Sequence, residues 1–140
     1  MKVIDFSVQT TAYQQLVCIT DQVTSIVTQS GFRNGFLTIQ SRHTTAGITV
    51  NEHLECLEDD INTTLGRLVP EDLPYAHARM LPAYGSTAGN PTGHIKAHLT
   101  GNHCHFPVID GAVVRGEAQD IFLAEFDGPS IRTIMVIMTD

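Results

Sequence analysis

The sequence predicts an α+β fold built on a mainly antiparallel sheet. Three observations lead to this class: predicted strands outnumber predicted helices, hairpin turns join most of the strands, and strand–helix–strand alternation is weak. A chain of 140 residues has the length of one domain with a substantial core, and we assign residues 1–140 to it.

The composition places the chain among globular proteins and argues against several partners. A hydrophobic content of 42% and a formal net charge of −7, with eight Lys and Arg residues, argue against a broad nucleic-acid surface. No apolar run is long enough to span a membrane, and no basic run is present that would bind an anionic membrane surface. Three separated cysteines and the lack of a signal-peptide pattern lead us to expect a reducing cytoplasm.

The first half of the chain reads as short strands and two helices. We expect strands at 3–8, 16–19 and 35–40. A first helix is predicted to begin with an N-cap at Thr20 and Asp21 and to stop at Gly31. A second helix over 54–68 is predicted from apolar residues at spacings of three and four: Leu54, Leu57, Ile61, Leu65 and Leu68.

The second half opens with a long segment, 69–89, in which proline and glycine break any period, and which carries Tyr75, His77, Arg79 and Tyr84. Asn90 and Pro91 then predict a helix start, with its end at Gly101. Strands follow at 103–108, 112–115, 119–126 and 131–138. Because the last run is apolar on both faces, we expect cover on both sides, with a neighbouring subunit as one source of it.

The stretch 42–52 concentrates polar chemistry. Read as one extended strand, it places polar residues or glycine on one face: His43, Thr45, Gly47, Thr49 and Asn51. At ~3.3 Å per residue, His43 and Asn51 would lie roughly 25 Å apart. Three alternatives follow: a bulge at Gly47 bends the strand, the two ends serve different sites, or a neighbouring subunit completes each site.

Histidines supply the remaining candidates. His94 falls in the first turn of a predicted helix, where free backbone N–H groups favour an anion. His77 lies in the long segment and could be a metal ligand, a phosphate donor or a general acid. No nucleophile or phosphate-loop motif is present. The residues alone therefore indicate a His-lined cleft suited to a phosphate or a divalent metal.

The order of these motifs resembles the YjbQ family. The resemblance begins with His43 to Gly47 and Asn51-Glu52, and continues through His77, Asn90, His94-Ile95-Lys96, Gly101, Pro107-Val108, Gly111, Gly116, Gln119 and Arg132. It covers essentially the whole chain. It implies a small α+β protein with a β-sandwich-like core, assembled as a homotrimer.

The resemblance also implies a site. Carried over residue by residue, the polar pocket comprises His43, Asn51, Glu52, His77, His94, Gln119 and Arg132. Asp60 matches a family aspartate only if one residue is gapped. We expect His43, Asn51, Glu52, Gln119 and Arg132 to serve catalysis. We expect His77, His94 and His43 to bind a divalent metal, with zinc preferred over magnesium.

Members of the family carry the label of secondary thiamine-phosphate synthase, and the implied reaction transfers a pyrimidine diphosphate onto a thiazole phosphate. Two departures weaken that expectation. Ala118 stands where the family usually has Trp, and Ala78 where it often has Asp after the loop histidine. The alternatives are a metal-dependent hydrolase of a small phosphate or amide, and a non-catalytic metal- or small-molecule-binding protein.

Overall fold

The computed structural model describes residues 1–79 and 89–140. In these residues the chain forms eight strands and four helices. In chain order they are β1 (Lys2–Gln9), β2 (Gln15–Cys18), α1 (Thr20–Ser30), β3 (Gly35–Ser41), β4 (Ala46–Asn51), α2 (Glu55–Leu68), α3 (Ala76–Arg79), α4 (Pro91–Thr100), β5 (His103–Ile109), β6 (Ala112–Val113), β7 (Asp120–Glu125) and β8 (Ile131–Thr139).

The strands form two antiparallel sheets, which confirms the α+β class and the antiparallel pairing. The larger sheet has the order β1-β8-β3-β5-β6 and the smaller the order β2-β7-β4. One hydrophobic core takes side chains from both sheets and from α1; among its members are Val23, Val27, Leu37, Ile39, Ile48, Leu123, Ile134 and Val136. The sheets therefore pack face to face around a common interior.

Local signals located several helix ends correctly. Gly31 ends α1 with a positive φ of 69°, which glycine adopts without the steric cost of a Cβ. Asn90 precedes Pro91 at the first position of α4, and Gly101 follows its last turn. The predicted N-cap at Thr20 and Asp21 is wrong, because Ile19 occupies that position without a side-chain cap. The Thr20 hydroxyl donates instead to Asp120, at 2.9 Å.

Other elements differ from the sequence prediction. The segment 69–89, predicted to lack periodic structure, contains the four-residue helix α3. The described residues therefore form four helices, where two or three were expected. β6 covers two residues, so its predicted extension to Arg115 is wrong. Pro82, Tyr84 and Gly85 lie outside the described residues.

Two apolar surfaces are only partly covered within the chain. On β8, Ile134, Val136 and Met138 are buried, whereas Met135 and Ile137 on the other face stay half-buried. Helix α2 has no fully buried residue, and Leu68 is 67% exposed. No helix in the described part of the chain is both long and apolar enough to cross a membrane.

Candidate functional site

The stretch 42–52 folds as a corner, and the prediction of one continuous strand is wrong. β3 ends at Ser41, the backbone bends at Thr44 and Thr45, and β4 begins at Ala46. The 25 Å estimate fails because residues 42–45 are not extended in a ladder. The suggested bulge at Gly47 is also absent, since this residue pairs with Ala124 in unbroken register.

Close approach of the backbone explains the glycine at position 47. A Cβ on Gly47 would lie 2.5 Å from the carbonyl oxygen of Gly101 and 2.9 Å from Thr100 Cγ2. The Ile48 N–H donates to the same Gly101 oxygen at 3.1 Å. The missing side chain therefore lets the end of α4 rest directly on β4, beside His43.

A buried ion pair lies behind this corner. Arg132 is 6% exposed and Glu125 is fully buried. The guanidinium donates from Nε to Glu125 Oε2 at 2.6 Å, and from its NH2 group to Glu125 Oε1 and to Thr45 Oγ1. Glu125 also accepts from the Thr10 hydroxyl at 2.9 Å and from the backbone N–H of Phe126 and Asp127. One carboxylate thus binds Arg132, Thr10 and two backbone N–H groups, and Arg132 in turn binds Thr45 of the corner.

The pair fixes the charge of Glu125 and occupies Arg132. Burial alone would raise the pKa of Glu125, but hydrogen bonds from Arg132, Asp127 and Thr10 and the guanidinium charge hold it below its ordinary value. The sequence leads us to expect a catalytic role for Arg132, and in the structure its guanidinium is paired with the Glu125 carboxylate. Its charge is neutralised inside the protein by Glu125.

His43 is held in one tautomer. Its Nε2 accepts a hydrogen bond from the Thr133 backbone N–H at 2.8 Å. In a neutral ring the proton must then sit on Nδ1, which becomes a donor. Burial, and then the positive charge of Arg132, lower the pKa of His43. A neutral donor suits an anion or a carbonyl oxygen; ligation of a metal through Nδ1 would require the ring to lose its only proton.

His43 lines a cleft of about 420 Å³ between the corner and α4. Three histidines contribute to its wall, namely His43, His94 and His98, together with the Asn102 amide and small residues. Among residues 1–79 and 89–140, no carboxylate lines this wall, in a chain with 15 acidic residues. The cleft therefore differs in electrostatic character from most of the surface.

His94 also contacts His77, the other histidine that was expected to bind the same metal ion. The ring centroids are 5.2 Å apart with an interplanar angle of 85°. His77 Nε2 is buried and has no hydrogen-bond partner among residues 1–79 and 89–140. These two rings line a second, more apolar pocket of about 400 Å³ with Tyr75, Pro91 and Ile95. His94 therefore stands between His43 and His77.

A three-histidine metal centre does not follow from this arrangement. Within the described residues, no group of three or more His, Cys, Asp or Glu side chains is placed to hold a metal ion. The His43 tautomer argues against this residue as the third ligand. His77 and His94 are two nitrogen donors, one fewer than the protein ligands of a catalytic zinc site.

The other candidates lie at the opposite end of the small sheet. Along the β4–β7 ladder, Ala46 is opposite Glu125, and Asn51 is opposite Asp120. At ~3.4 Å per residue, five steps separate the two ends by roughly 17 Å. Asn51, Glu52 and Gln119 are exposed. The Asn51 and Gln119 side chains accept local backbone hydrogen bonds, from Glu52 and Gly116.

One chain thus separates the predicted site into two groups. His43, His77, His94 and Arg132 belong to one end, and Asn51, Glu52 and Gln119 to the other. Asp60 is exposed on α2. Ala118 is exposed beside Gln119, and Ala78 is half-buried beside His77.

Sequence analysis missed three charged residues near the cleft: Glu71, Lys96 and Glu125. Glu125 stands at the end of the apolar run 121–124, and Lys96 lies between Ile95 and Ala97 on α4. A charge inside an apolar run is the signal that could have found both, because such a charge needs a partner when buried. Glu71 carries no comparable local signal.

Comparison with known proteins gives a consistent result. The sequence model of a family described as UPF0047 protein YjbQ-like matches residues 4–140. A UPF0047 protein of Methanothermobacter thermautotrophicus is 36% identical over 132 residues, which cover 94% of this chain and 87% of that protein. The UPF0047 protein YugU of Bacillus subtilis is 32% identical over 131 residues, 94% of each chain.

Solved structures show the same fold. A YbjQ-like protein of unknown function from Sulfolobus solfataricus is 38% identical, with a TM-score of 0.86 over 96% of this chain and 94% of that one. An uncharacterized conserved protein of the YjbQ/UPF0047 family from Clostridium acetobutylicum is 33% identical, with a TM-score of 0.87 over 97% and 99% of the two chains.

Proposed function

This chain belongs to the UPF0047 YjbQ-like family, and we propose that it binds a small phosphate-bearing substrate in the cleft lined by His43 and His94. The observation that carries the proposal is the chemistry of the wall: the described part of the chain contributes three imidazoles and an amide to it, and no carboxylate. The His43 tautomer adds a fixed donor. His94 and His98 belong to the helix α4, and Gly101 and Asn102, which follow this helix, continue the same wall.

Imidazole donors make this cleft compatible with a phosphate. A cleft of about 420 Å³ has the size of a small-ligand pocket. Because the pKa of His43 is lowered, its ring stays neutral and donates without titrating near neutrality. His94 and His98, one helical turn apart on α4, can each donate from either ring nitrogen.

The test of this proposal is calorimetric titration with inorganic phosphate. We expect the His94→Leu variant to lose roughly tenfold or more in affinity, the factor that about 1.4 kcal/mol represents. His105→Leu is the matched control, because His105 is an exposed histidine on β5 in the other sheet. Equal phosphate affinity in the wild type and the His94→Leu variant would refute the cleft as the binding site.

Thiamine-phosphate synthase activity is the finer form of the proposal, and we expect it to be weak. That reaction must stabilise a departing diphosphate, and Arg132 is already committed to Glu125. The chain also lacks the stacking surface of a Trp at Ala118, worth on the order of 1 kcal/mol beyond area burial. The assay measures turnover of a pyrimidine diphosphate and a thiazole phosphate, with magnesium, by the wild type and by Ala118→Trp. Robust turnover by the wild type that Ala118→Trp abolishes would contradict both points.

We further propose that the protein works as a homotrimer whose neighbouring subunit brings Asn51, Glu52 and Gln119 to the cleft. The roughly 17 Å ladder separation supports this, because one chain cannot bring both groups to one small ligand. The partly covered faces of β8 and α2 supply apolar surface for association. Light scattering during size exclusion should give three times the chain mass of 15.3 kDa. A monomer at micromolar concentration would exclude a shared site.

A metal-dependent hydrolase is the second candidate, and the contact between His77 and His94 favours it. The described residues of one chain supply two of the nitrogen donors that zinc prefers and do not fit a complete site. Zinc titration of the wild type and a His77→Ala/His94→Ala double variant tests this candidate. Equal zinc binding by the two proteins would eliminate it.

A further inference from the structure

The polar network around Lys96 has no part in the cleft chemistry described above. Lys96 is 2% exposed. Its ammonium group donates to Gln14 Oε1 and to Glu71 Oε1, both at 2.9 Å. A buried ammonium group is costly unless it is paired and hydrogen-bonded. Glu71 therefore has to stay in place for α4 to keep its lysine inside.

Glu71 reaches α4 at a second point. Its Oε2 accepts a hydrogen bond from Thr92 Oγ1 at 2.7 Å, and the Tyr13 hydroxyl lies within hydrogen-bond distance of Thr92 Oγ1, at 3.1 Å. Partial burial would raise the pKa of Glu71, but the hydrogen bonds from Lys96 and Thr92 lower it. The carboxylate is thus ionised and bound to two successive turns of α4.

The position of Glu71 in the chain lets this network connect two parts of the molecule. Glu71 opens the irregular segment that leads from α2 to His77. Thr92 and Lys96 of α4 both donate to Glu71, and among the described side chains of residues 70–78 this carboxylate accepts all the hydrogen bonds that α4 donates to the segment. His94 lies on the same helix, two residues from both Thr92 and Lys96. The carboxylate therefore joins the segment that carries His77 to the helix that carries His94.

We propose that Lys96 and Glu71 are a positioning pair that sets His77 against His94, and that Lys96 does not itself contact the substrate. The expected effect on phosphate binding rests on the proposed function. Without the pair, His94 loses His77, the neighbour that fixes its ring beside the cleft. Lys96 acts on His94, two residues away on the same helix, by holding the Glu71 carboxylate and with it the segment that carries His77.

Two variants separate this role from general stability. Glu71→Gln keeps the side-chain volume, at a position where the side chain is 54% exposed, and Lys96→Met removes the charge from α4. The control is Asp110→Asn, which breaks the exposed ion pair with Arg33. All are compared in the full chain, labelled with ¹⁵N-histidine, by imidazole NMR and by titration with inorganic phosphate.

We expect Glu71→Gln to shift the His77 and His94 imidazole signals and to weaken phosphate binding roughly tenfold, with the signals of His53 and His105 unchanged. Asp110→Asn should change neither. If Lys96→Met does not fold, Glu71→Gln decides alone. Unchanged His77 and His94 signals in folded Glu71→Gln would overturn the inference. Shifted signals in a protein whose wild type binds no phosphate would keep the positioning pair and refute the proposed function.

Discussion

The two ends of the β4–β7 ladder differ in how their polar residues are held. At the Ala46 end, Arg132 and Glu125 are buried in a network that also includes Thr10, Thr45 and backbone N–H groups. At the Asn51 end, the candidate side chains are exposed and bonded to their own neighbours in sequence. The same two strands therefore present a rigid end and an open end.

The difference indicates which residues a single chain can pre-organise. The geometry of His43 is fixed by Thr133 and by the ion pair behind it, so its donor is in place before any ligand arrives. Asn51, Glu52 and Gln119 have no such support within the described residues. They can acquire it from a ligand or from a second subunit.

Removing Arg132 should give the largest effect. Arg132→Met leaves the Glu125 carboxylate buried without its counter-ion, and we expect a loss of about 3–5 kcal/mol in the free energy of unfolding. Arg115→Met breaks the pair with Asp120 at the open end, 3.5 Å in length, and we expect a loss of roughly 0–1 kcal/mol. Urea denaturation of both variants measures the difference, and equal losses would mean that the two ends are not distinct.

A methyl group at position 47 should test the rigid end next. Gly47→Ala places a Cβ 2.5 Å from the Gly101 carbonyl oxygen, and we expect a loss of about 1–3 kcal/mol from overpacking. Gly66→Ala is the control, because a Cβ there meets nothing within 4 Å and should stabilise α2 by up to about 1 kcal/mol. Thermal denaturation compares the two. A neutral Gly47→Ala variant would mean that α4 can move away from β4.

The rigid end should also respond to mild acid through His43. Because the pKa of His43 is lowered in the folded protein, the unfolded chain binds a proton first as the pH falls below about 6.5. The free energy of unfolding should therefore decrease from pH 7 toward the lowered folded pKa. His43→Gln retains an acceptor for Thr133 and does not titrate, so it should show a smaller decrease over this interval. Identical pH profiles would contradict the lowered pKa of His43 in the folded protein.

Changes at the open end should have the smallest effect on folding. We expect Asn51→Ala and Gln119→Ala to alter the free energy of unfolding of the chain by no more than about 0.5 kcal/mol. Under the trimer proposal, the same variants should still weaken phosphate binding. Calorimetric titration beside urea denaturation checks this pairing of results, and a large loss of stability in either variant would remove the contrast between the ends.

Elements with local signals were predictable from the sequence. Gly31 and Asn90-Pro91 each fix the backbone with residues next to one another in the chain, and each was located correctly. The antiparallel class followed from the hairpin turns. The continuous strand predicted through residues 42–45 was wrong because alternation of polar and apolar residues continues through a bend as readily as through a strand.

The chemistry of the site depended on contacts that no local pattern records. Arg132 was expected to serve catalysis, and no local pattern indicates that Glu125, on the other side of the turn between β7 and β8, binds its guanidinium. The His43 tautomer depends on Thr133, 90 residues later. Sequence reasoning identified His77 and His94 as neighbours in function, and the structure brings them into contact. It could not place Lys96, whose partner Glu71 lies in an irregular segment.

The pairing of β1 with β8 has a consequence for synthesis of the protein. β1 forms an edge of the larger sheet, and its neighbour there is β8, with eight paired positions from Lys2–Met138 to Gln9–Ile131. A ribosome adding about 5–20 residues per second needs on the order of ten seconds to travel from one strand to the other. During that interval β1 has no strand to join. The nascent chain must carry an unpaired, partly apolar segment until the last strand of the sheet emerges, which exposes β1 to chaperones and to misassociation during that time.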